Sequence, residues 1–479
     1  MSLTRDIYDL LVIGAGPAGH KAALEAAGAG HSVLLIDRDA TPGGECVHRG
    51  TIPSKTLRES ALYLAGLKQR AAGLAKPELD GNLKVAGLMK RLEAVLRAHE
   101  GFMRRQIDSA GIEFLRGRAR FLSPDELEVV PPIGAAHRLR GRRILLATGS
   151  RPRQAPEMNL DHENILDSDS ILSLIYLPRS LTVLGAGVIA CEFATIFQAL
   201  GVQVTMIDKA PRPLGFLDGE ITARFVAAFE RMGGRFLGNQ KPTQCRFDGV
   251  SQTITTLENG QTVVAEKTLV ALGRVASVHG LALERAGLKL SERGILPVDE
   301  SCRTGVPHIY AAGDLIGPPA LAASSMEQGR RAARHALGLP LSQAAHTIPS
   351  GIYTIPEMAS VGLTEAQANE RHGSVLVGRA EFGELARGQI SGDTEGLLKL
   401  YAEPKEGRIV GAQIIGDGAT ELIHLAQLAL VGNHSIELFV EQVFNFPTMA
   451  EAYRVAALDL MSQRARRNQQ PCSKPAEAA

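Results

Sequence analysis

The tightest constraint on the fold lies in residues 8–37, YDLLVIGAGPAGHKAALEAAGAGHSVLLID. An apolar run, Leu10–Ile13, meets three spaced glycines, then an alanine-rich stretch, then a second apolar run, Val33–Ile36. Short apolar runs beside a glycine turn predict buried strands, and the stretch between them predicts a helix. A strand–helix–strand crossover is the building unit of a parallel α/β sheet. In the loop Gly14-Ala-Gly16-Pro17-Ala18-Gly19, Gly14 permits the tight turn and Gly16 lets backbone approach a pyrophosphate. Gly19 lets helix and strand pack closely, and Asp37 ends the second strand where a carboxylate meets a ribose hydroxyl.

The pattern returns at 181–208, LTVLGAGVIACEFATIFQALGVQVTMID. Its loop is Gly185-Ala-Gly187-Val188-Ile189-Ala190, with alanine as third member, and Asp208 is the matching acid. Two loops imply two dinucleotides, between which a hydride can pass if the rings stack. Asp208 favours the ribose 2′-hydroxyl of NAD(H) over a 2′-phosphate. Lys209 and Arg212 follow it. Either can bind a 2′-phosphate by charge-assisted bonds, and each serves equally as a solvated surface cation. NAD(H) is favoured and NADP(H) allowed.

A chain of 479 residues exceeds one compact core, so two or three domains are expected. The formal net charge of +1 gives no electrostatic reason for nucleic acid or an acidic membrane as partner. The apolar run 181–204 contains Gly185, Gly187 and Glu192, which argue against a membrane span. Five scattered cysteines without a CxxC spacing argue against a zinc site or a disulfide framework. The N-terminal segment lacks an apolar signal core, and a cytoplasmic protein with no metal is expected. Residues 56–110 predict mainly helix, residues 142–152 a strand ending in a glycine turn, and residues 308–337 a strand, a Gly-Asp turn and a long helix. Beyond Gly362, alternating apolar segments predict antiparallel strands, then helices through about Met461.

The ordered motifs GAGPAG, GGECVHRGTIPSK, ATGSRP, GAGVIA and IYAAGD span about residues 8–462. By them the chain resembles the class I pyridine nucleotide-disulfide oxidoreductase family, the group of glutathione reductase and dihydrolipoamide dehydrogenase. The resemblance implies an α/β chain of two Rossmann-like dinucleotide-binding domains and a C-terminal α+β dimerisation domain. FAD would occupy the first (1–150 and 275–342), a nicotinamide nucleotide the second (151–274). Residues 343–463 would form the interface of a homodimer or larger assembly, and 464–479 a disordered tail. It places Asp37 and Arg38 at the FAD adenosine ribose, Gly44, Glu45 and Cys46 along the FAD, and Ala119 near the adenine. Thr148, Gly149 and Gly273 approach cofactor, and Asp314 meets the ribityl or pyrophosphate portion. The helix after Pro319 would aim its positive end at the flavin. Lys55 would sit beside flavin N5 with Glu192 as its carboxylate partner, and Val188 leaves the nicotinamide pocket ungated.

Two departures matter. Disulfide reductases of this family carry a CxxxxC pair, and from Cys46 the second cysteine falls at Thr51. They also carry a histidine before a Pro-Thr pair, and here Phe446 stands there, while Glu451 remains. A hydroxyl has no two-electron sulfur chemistry, and phenylalanine moves no proton. This combination resembles the transhydrogenase branch of the family, which implies hydride transfer between NADPH and NAD+ through FAD. The alternatives are a flavin oxidoreductase with a quinone, oxygen or protein acceptor, an enzyme cycling Cys46 alone, and a non-enzymatic flavoprotein.

Overall fold

The computed structural model describes residues 3–5, 7–71, 85–342 and 347–469. The chain forms two compact units, Met1–Gly185 with Pro242–Ala344, and Ala186–Lys241 with Ala345–Ala479.

The first unit is built on β1 (Ile7–Ile13), which pairs in parallel with β2 (Val33–Asp37) on one side and with His137–Leu146 on the other. Leu10, Leu11 and Val12 are fully buried, as a strand covered on both faces requires. The crossover is α1 (Pro17–Gly28), rich in alanine. Small residues let it cross the helix Ala322–Ala336 closely: a Cβ on Gly329 would lie 2.0 Å from the Ala18 carbonyl oxygen. After β2 come α2 (Gly44–His48), α3 (Thr51–Ala71) and α4 (Val85–Ser109). Arg118–Ser123 and Glu126–Val130 extend the sheet antiparallel from His137–Leu146, and Ile309–Ala311 joins it in parallel. The same unit holds three parallel strands, Ser180–Leu184, Lys267–Val270 and Ile165–Leu166. A meander from Pro242 to Ala265 and a ribbon pairing Ser150–Pro152 with Arg274–Ala276 complete it.

The second unit opens with α5 (Val188–Ala199), the strand Gln203–Ile207 paired in parallel with Arg235–Leu237, and α6 (Gly219–Arg231) between them. Its remainder is a five-stranded antiparallel sheet of residues 350–415 covered by the helices Ala419–Val431 and Glu451–Gln469. Tyr453, Phe382 and Leu460 are buried in its core. The unit boundaries at 185/186 and 241/242 fall inside the segment 151–274 expected as one domain. Polar bonds tie that inner stretch to the C-terminal sheet. Arg224 makes a bidentate pair with Glu381 at 2.7 Å for each bond. Lys399, 2% exposed, brings its ammonium to Asp218 at 2.9 Å, Glu220 at 3.0 Å and Glu365 at 3.1 Å. Tyr401 donates to Asp218, whose own amide donates to Gln413.

The last helix runs through Gln469, so residues 464–469, expected as part of a disordered tail, are helical. Charged side chains pin this end, where Arg464 pairs with Glu437. The rest of the expected tail, 470–479, lies outside the described residues, as do residues 343–346 at the start of the expected interface domain. Among the described residues, no helix is long and apolar enough to cross a membrane.

Candidate nucleotide and redox site

The two glycine loops share one construction. Gly14 has φ +105° and Gly185 φ +109°, a region that strains any L side chain. A Cβ on Gly14 would fall 2.2 Å from the Ala147 oxygen, and one on Gly185 2.6 Å from the Ala271 oxygen. Gly19 is equally fixed by packing, its Cβ position 1.8 Å from the Gly14 oxygen.

Gly16 and Gly187 differ. Their φ values, −70° and −78°, suit any residue. A Cβ on Gly16 would meet only the Gly44 Cα at 3.8 Å, and one on Gly187 would meet nothing within 4 Å. The protein's own packing therefore gives no reason for glycine at either place. A group outside the protein that must approach the backbone closely does. Both glycines are N-caps without a side-chain cap bond, at the starts of α1 and α5, so the helix-end amides face outward, the arrangement that binds pyrophosphate. The donor set fits a dinucleotide at each loop. Pro17 opens α1, Ala18 is buried beneath it, and Val188 and Ile189 are half-buried on the first turn of α5.

The acids repeat the symmetry. The Ala15 amide donates to Asp37 Oδ2 at 2.6 Å and the Asp39 amide to Oδ1 at 2.9 Å. The Ala186 amide donates to Asp208 Oδ2 at 2.7 Å and the Ala210 amide to Oδ1 at 2.7 Å. Each carboxylate oxygen keeps a lone pair for a ribose hydroxyl. Burial pushes the Asp37 carboxyl above its ordinary value, against the pull of the two amides. Of the two cations after Asp208, Lys209 is exposed. Arg212 is committed to its own loop, donating to the oxygens of Leu217 at 2.8 Å, Gly215 at 3.0 Å and Thr222 at 3.1 Å.

Around the first loop, the Gly43 amide donates to the Ala15 carbonyl and so docks α2 against the glycine turn. Gly44, at φ +57°, has no room for a Cβ, which would lie 2.8 Å from the Gly16 Cα. Glu45 Oε1 accepts from Arg38 at 3.0 Å and Arg49 at 3.1 Å, while Oε2 is buried without a hydrogen bond. The Thr148 hydroxyl is also buried and without a partner. Two orphaned polar atoms at positions expected along FAD fit a bound cofactor that would satisfy them. Gly149 and Gly273 turn the chain at φ +67° and +102°, and Ala119 is buried on its strand.

Cys46 on α2 and Thr51 at the start of α3 are in contact. Burial pushes the Cys46 thiol up, while a hydrogen bond from Thr51 and the charge of Lys55 pull it down, with burial prevailing. That direction is opposite to the one that activates a thiolate. Cys191 is fully buried and its thiol is pushed well up by that burial, in keeping with a packing role. Lys55, half-buried on α3, reaches the Ser54 hydroxyl at 3.4 Å among its contacts. Glu192 on α5 is 5% exposed and its Oε1 accepts from the Tyr353 amide at 2.9 Å. Phe446 is 75% exposed. Glu451 begins the final helix and accepts from the Thr448 amide, three residues before it, at 3.4 Å.

Sequence reasoning missed what surrounds Asp314. Its Oδ2 accepts from the Ser150 hydroxyl at 2.6 Å, and Arg274 Nε donates to that hydroxyl at 2.8 Å. Arg274 lies 3.9 Å from both Glu45 and Asp169. The available signal was that Ser150 and Arg274 each follow a motif glycine, Gly149 and Gly273.

The family model described as pyridine nucleotide-disulphide oxidoreductase matches residues 8–329, and that family's dimerisation domain matches residues 348–457. A soluble pyridine nucleotide transhydrogenase of Mycobacterium bovis is 40% identical over 463 residues, covering 96% of this chain and 99% of the relative. Proteins of the same name from Hahella chejuensis and Pseudomonas putida are 38% and 37% identical, each covering 94% of this chain and 98% of the relative. The crystal structure of LpdA from Mycobacterium tuberculosis superposes with a TM-score of 0.88 at 28% identity, covering 94% of this chain and 99% of that one. The HOCl-induced flavoprotein disulfide reductase RclA of Escherichia coli, as its Cu(II) complex, gives 0.86 at 25% identity, covering 95% and 99%.

Proposed function

This chain belongs to the pyridine nucleotide-disulphide oxidoreductase family, and from that premise we propose that it is an FAD-dependent transhydrogenase moving hydride between NADPH and NAD+ without a redox disulfide. The carrying observation is the pair Cys46 and Thr51. One sulfur with a raised thiol pKa, bonded to a hydroxyl, offers no intrachain disulfide to reduce, while both nucleotide loops keep every feature of a dinucleotide site. The relatives named soluble pyridine nucleotide transhydrogenase support the same reading.

FAD, when bound, supplies a two-electron carrier able to take a hydride from one nicotinamide and return it to another. The chain's residues bind and orient. The loop at Gly14–Gly19 and Asp37 would hold the FAD adenosine half, with Arg38, Gly44, Glu45, Ala119, Thr148, Gly149 and Asp314 available to the rest of it. Lys55, half-buried on α3, would hold positive charge toward the bound flavin, where it favours hydride acceptance. The uncapped amides that begin the helix Ala322–Ala336 add to that field. The loop at Gly185–Ala190 and Asp208 would hold either nicotinamide nucleotide in turn, and Lys209 would supply the cation for the 2′-phosphate of NADPH. Nucleotides exchange in ping-pong order. Hydride transfer takes no proton from the protein, so phenylalanine at 446 costs nothing in this reaction. The dimerisation domain makes the functional form a homodimer.

The test is anaerobic. Holoenzyme reduced with NADPH and then given NAD+ should form NADH as the flavin reoxidises. Reoxidation by a quinone or oxygen but not by NAD+ would refute the proposal. Cys46→Ser should keep transfer within about twofold; a loss of tenfold or more would instead establish single-cysteine chemistry.

A further inference from the structure

We propose that Arg274 is a positioning residue for FAD, fixing Asp314 through the hydroxyl of Ser150. The proposal rests on Asp314 being an FAD contact, as above.

The direction of each bond is determined by donor count. A guanidinium only donates. Ser150 Oγ therefore accepts from Arg274 Nε at 2.8 Å, and its single proton goes to Asp314 Oδ2 at 2.6 Å. Arg274 is itself fixed by its fork: Nη2 donates to the Ser150 carbonyl at 2.8 Å and Nη1 to the Ser168 hydroxyl at 3.4 Å. The backbone sets the reach. Ser150 and Arg274 lie on paired antiparallel strands, with Ser150 opposite Ala276 and Arg274 opposite Pro152. Each strand starts from a left-handed glycine, and the Ser277 amide closes onto Gly149 while the Arg153 amide closes onto Gly273. Ser150 is 6% exposed, so water does not compete for its hydroxyl.

The relay is charged at both ends, which strengthens both of its bonds relative to neutral ones. With Asp314 Oδ2 held this way, its other oxygen is aimed by the carboxylate plane rather than by chance rotation. The same guanidinium lies 3.9 Å from the Glu45 oxygen that has no hydrogen bond and 3.9 Å from Asp169. One cation thus lies near two carboxylates, Glu45 and Asp169, and reaches a third, Asp314, through Ser150. A lysine keeps the charge but cannot span three acceptors in one plane.

The test uses purified holoenzyme with three single variants, Arg274→Lys, Ser150→Ala and Asp314→Asn, and the double variant Arg274→Lys/Ser150→Ala. The readouts are FAD release rate by fluorescence, the visible flavin absorbance bands, and the melting temperature. Arg274→Lys and Ser150→Ala should each speed FAD release by about tenfold or more, the scale of one hydrogen bond to a charged group. Both should shift the flavin bands alike, and the double variant should release FAD no faster than the faster single. Fully multiplied effects in the double, or Ser150→Ala with unchanged release and bands, overturn the relay. A fall in melting temperature with flavin bands unmoved assigns Arg274 a purely structural role and likewise overturns it. Ser150→Ala keeps the question decidable if Arg274→Lys does not fold. Asp314→Asn separates the premise: if it leaves FAD release unchanged, the assignment of Asp314 fails; if it speeds release while the other two do not, the relay alone fails.

Discussion

Replacing Lys399 by Met removes a buried ammonium from among three carboxylates and leaves its stem volume nearly unchanged. In the native arrangement two cations, Lys399 and Arg379, face Asp218, Glu220 and Glu365, an excess of one negative charge. The substitution doubles that excess. Asp218 has 9% side-chain exposure and carries most of the loss, because water cannot take the place of the ammonium. Glu220 and Glu365, at 33% and 35% exposure, are screened by solvent and add about 1 kcal/mol or less each. Breaking one buried pair costs about 3–5 kcal/mol, and that range is expected at pH 7. The pH dependence follows from the carboxyl groups. Burial raises both Asp218 and Glu220, but hydrogen bonds to Lys399, and for Glu220 first to Arg379, hold each below its ordinary value. A depressed carboxyl stabilises the fold above its unfolded pKa, near 4, and that contribution is lost as pH falls through the folded value. The penalty of Lys399→Met should therefore be largest at neutral pH and shrink below about pH 4. The chain has no tryptophan, so urea unfolding is best followed by circular dichroism. A cost under about 1 kcal/mol at pH 7, or one that does not shrink in acid, would refute the reasoning.

Gly187→Ala should leave the melting temperature within about 2 °C of wild type yet raise the nicotinamide KM at least about tenfold, because its Cβ strikes no protein atom and only a close-approaching pyrophosphate. Gly185→Ala, at φ +109° and 2.6 Å from the Ala271 oxygen, should instead lower the melting temperature and reduce soluble yield. Lys209→Glu should raise the KM for NADPH about tenfold or more and leave that for NADH within twofold, measured by steady-state kinetics on each nucleotide. Arg212→Ala should act through stability rather than nucleotide choice, since its donors are spent on Gly215, Leu217 and Thr222 at the start of α6.

The parts of the site legible in the sequence were those whose geometry is local. Gly14 and Gly185 stand at positive φ in their own turns and Gly19 packs on Gly14 five residues back, while Asp37 and Asp208 end the strands that follow. Glu192 was singled out through the family resemblance alone, which did not foresee its bond to the Tyr353 amide. The illegible parts depend on distant strands meeting. Ser150 is 124 residues from Arg274 and 164 from Asp314, and Lys399 is 181 from Asp218. No spacing rule joins such positions; only sheet pairing does. Arg212 shows the converse. Its position beside Asp208 suggested a phosphate ligand, but a guanidinium fork near three carbonyl and hydroxyl oxygens satisfies itself first.

Asp37 and Asp208 carry a consequence for the cost of binding a nucleotide. Each carboxylate is gripped by two amides, one from its glycine loop and one two residues downstream. Its rotamer is frozen in advance, so a nucleotide arriving at either loop orders no acidic side chain. Immobilising such a group on binding ordinarily costs about 0.5–1.5 kcal/mol, up to roughly a tenfold loss of affinity. With that cost already met during folding, affinity need not be bought with a slow closing step. Under the proposed exchange of nucleotides at the second loop, the preorganised Asp208 gains most.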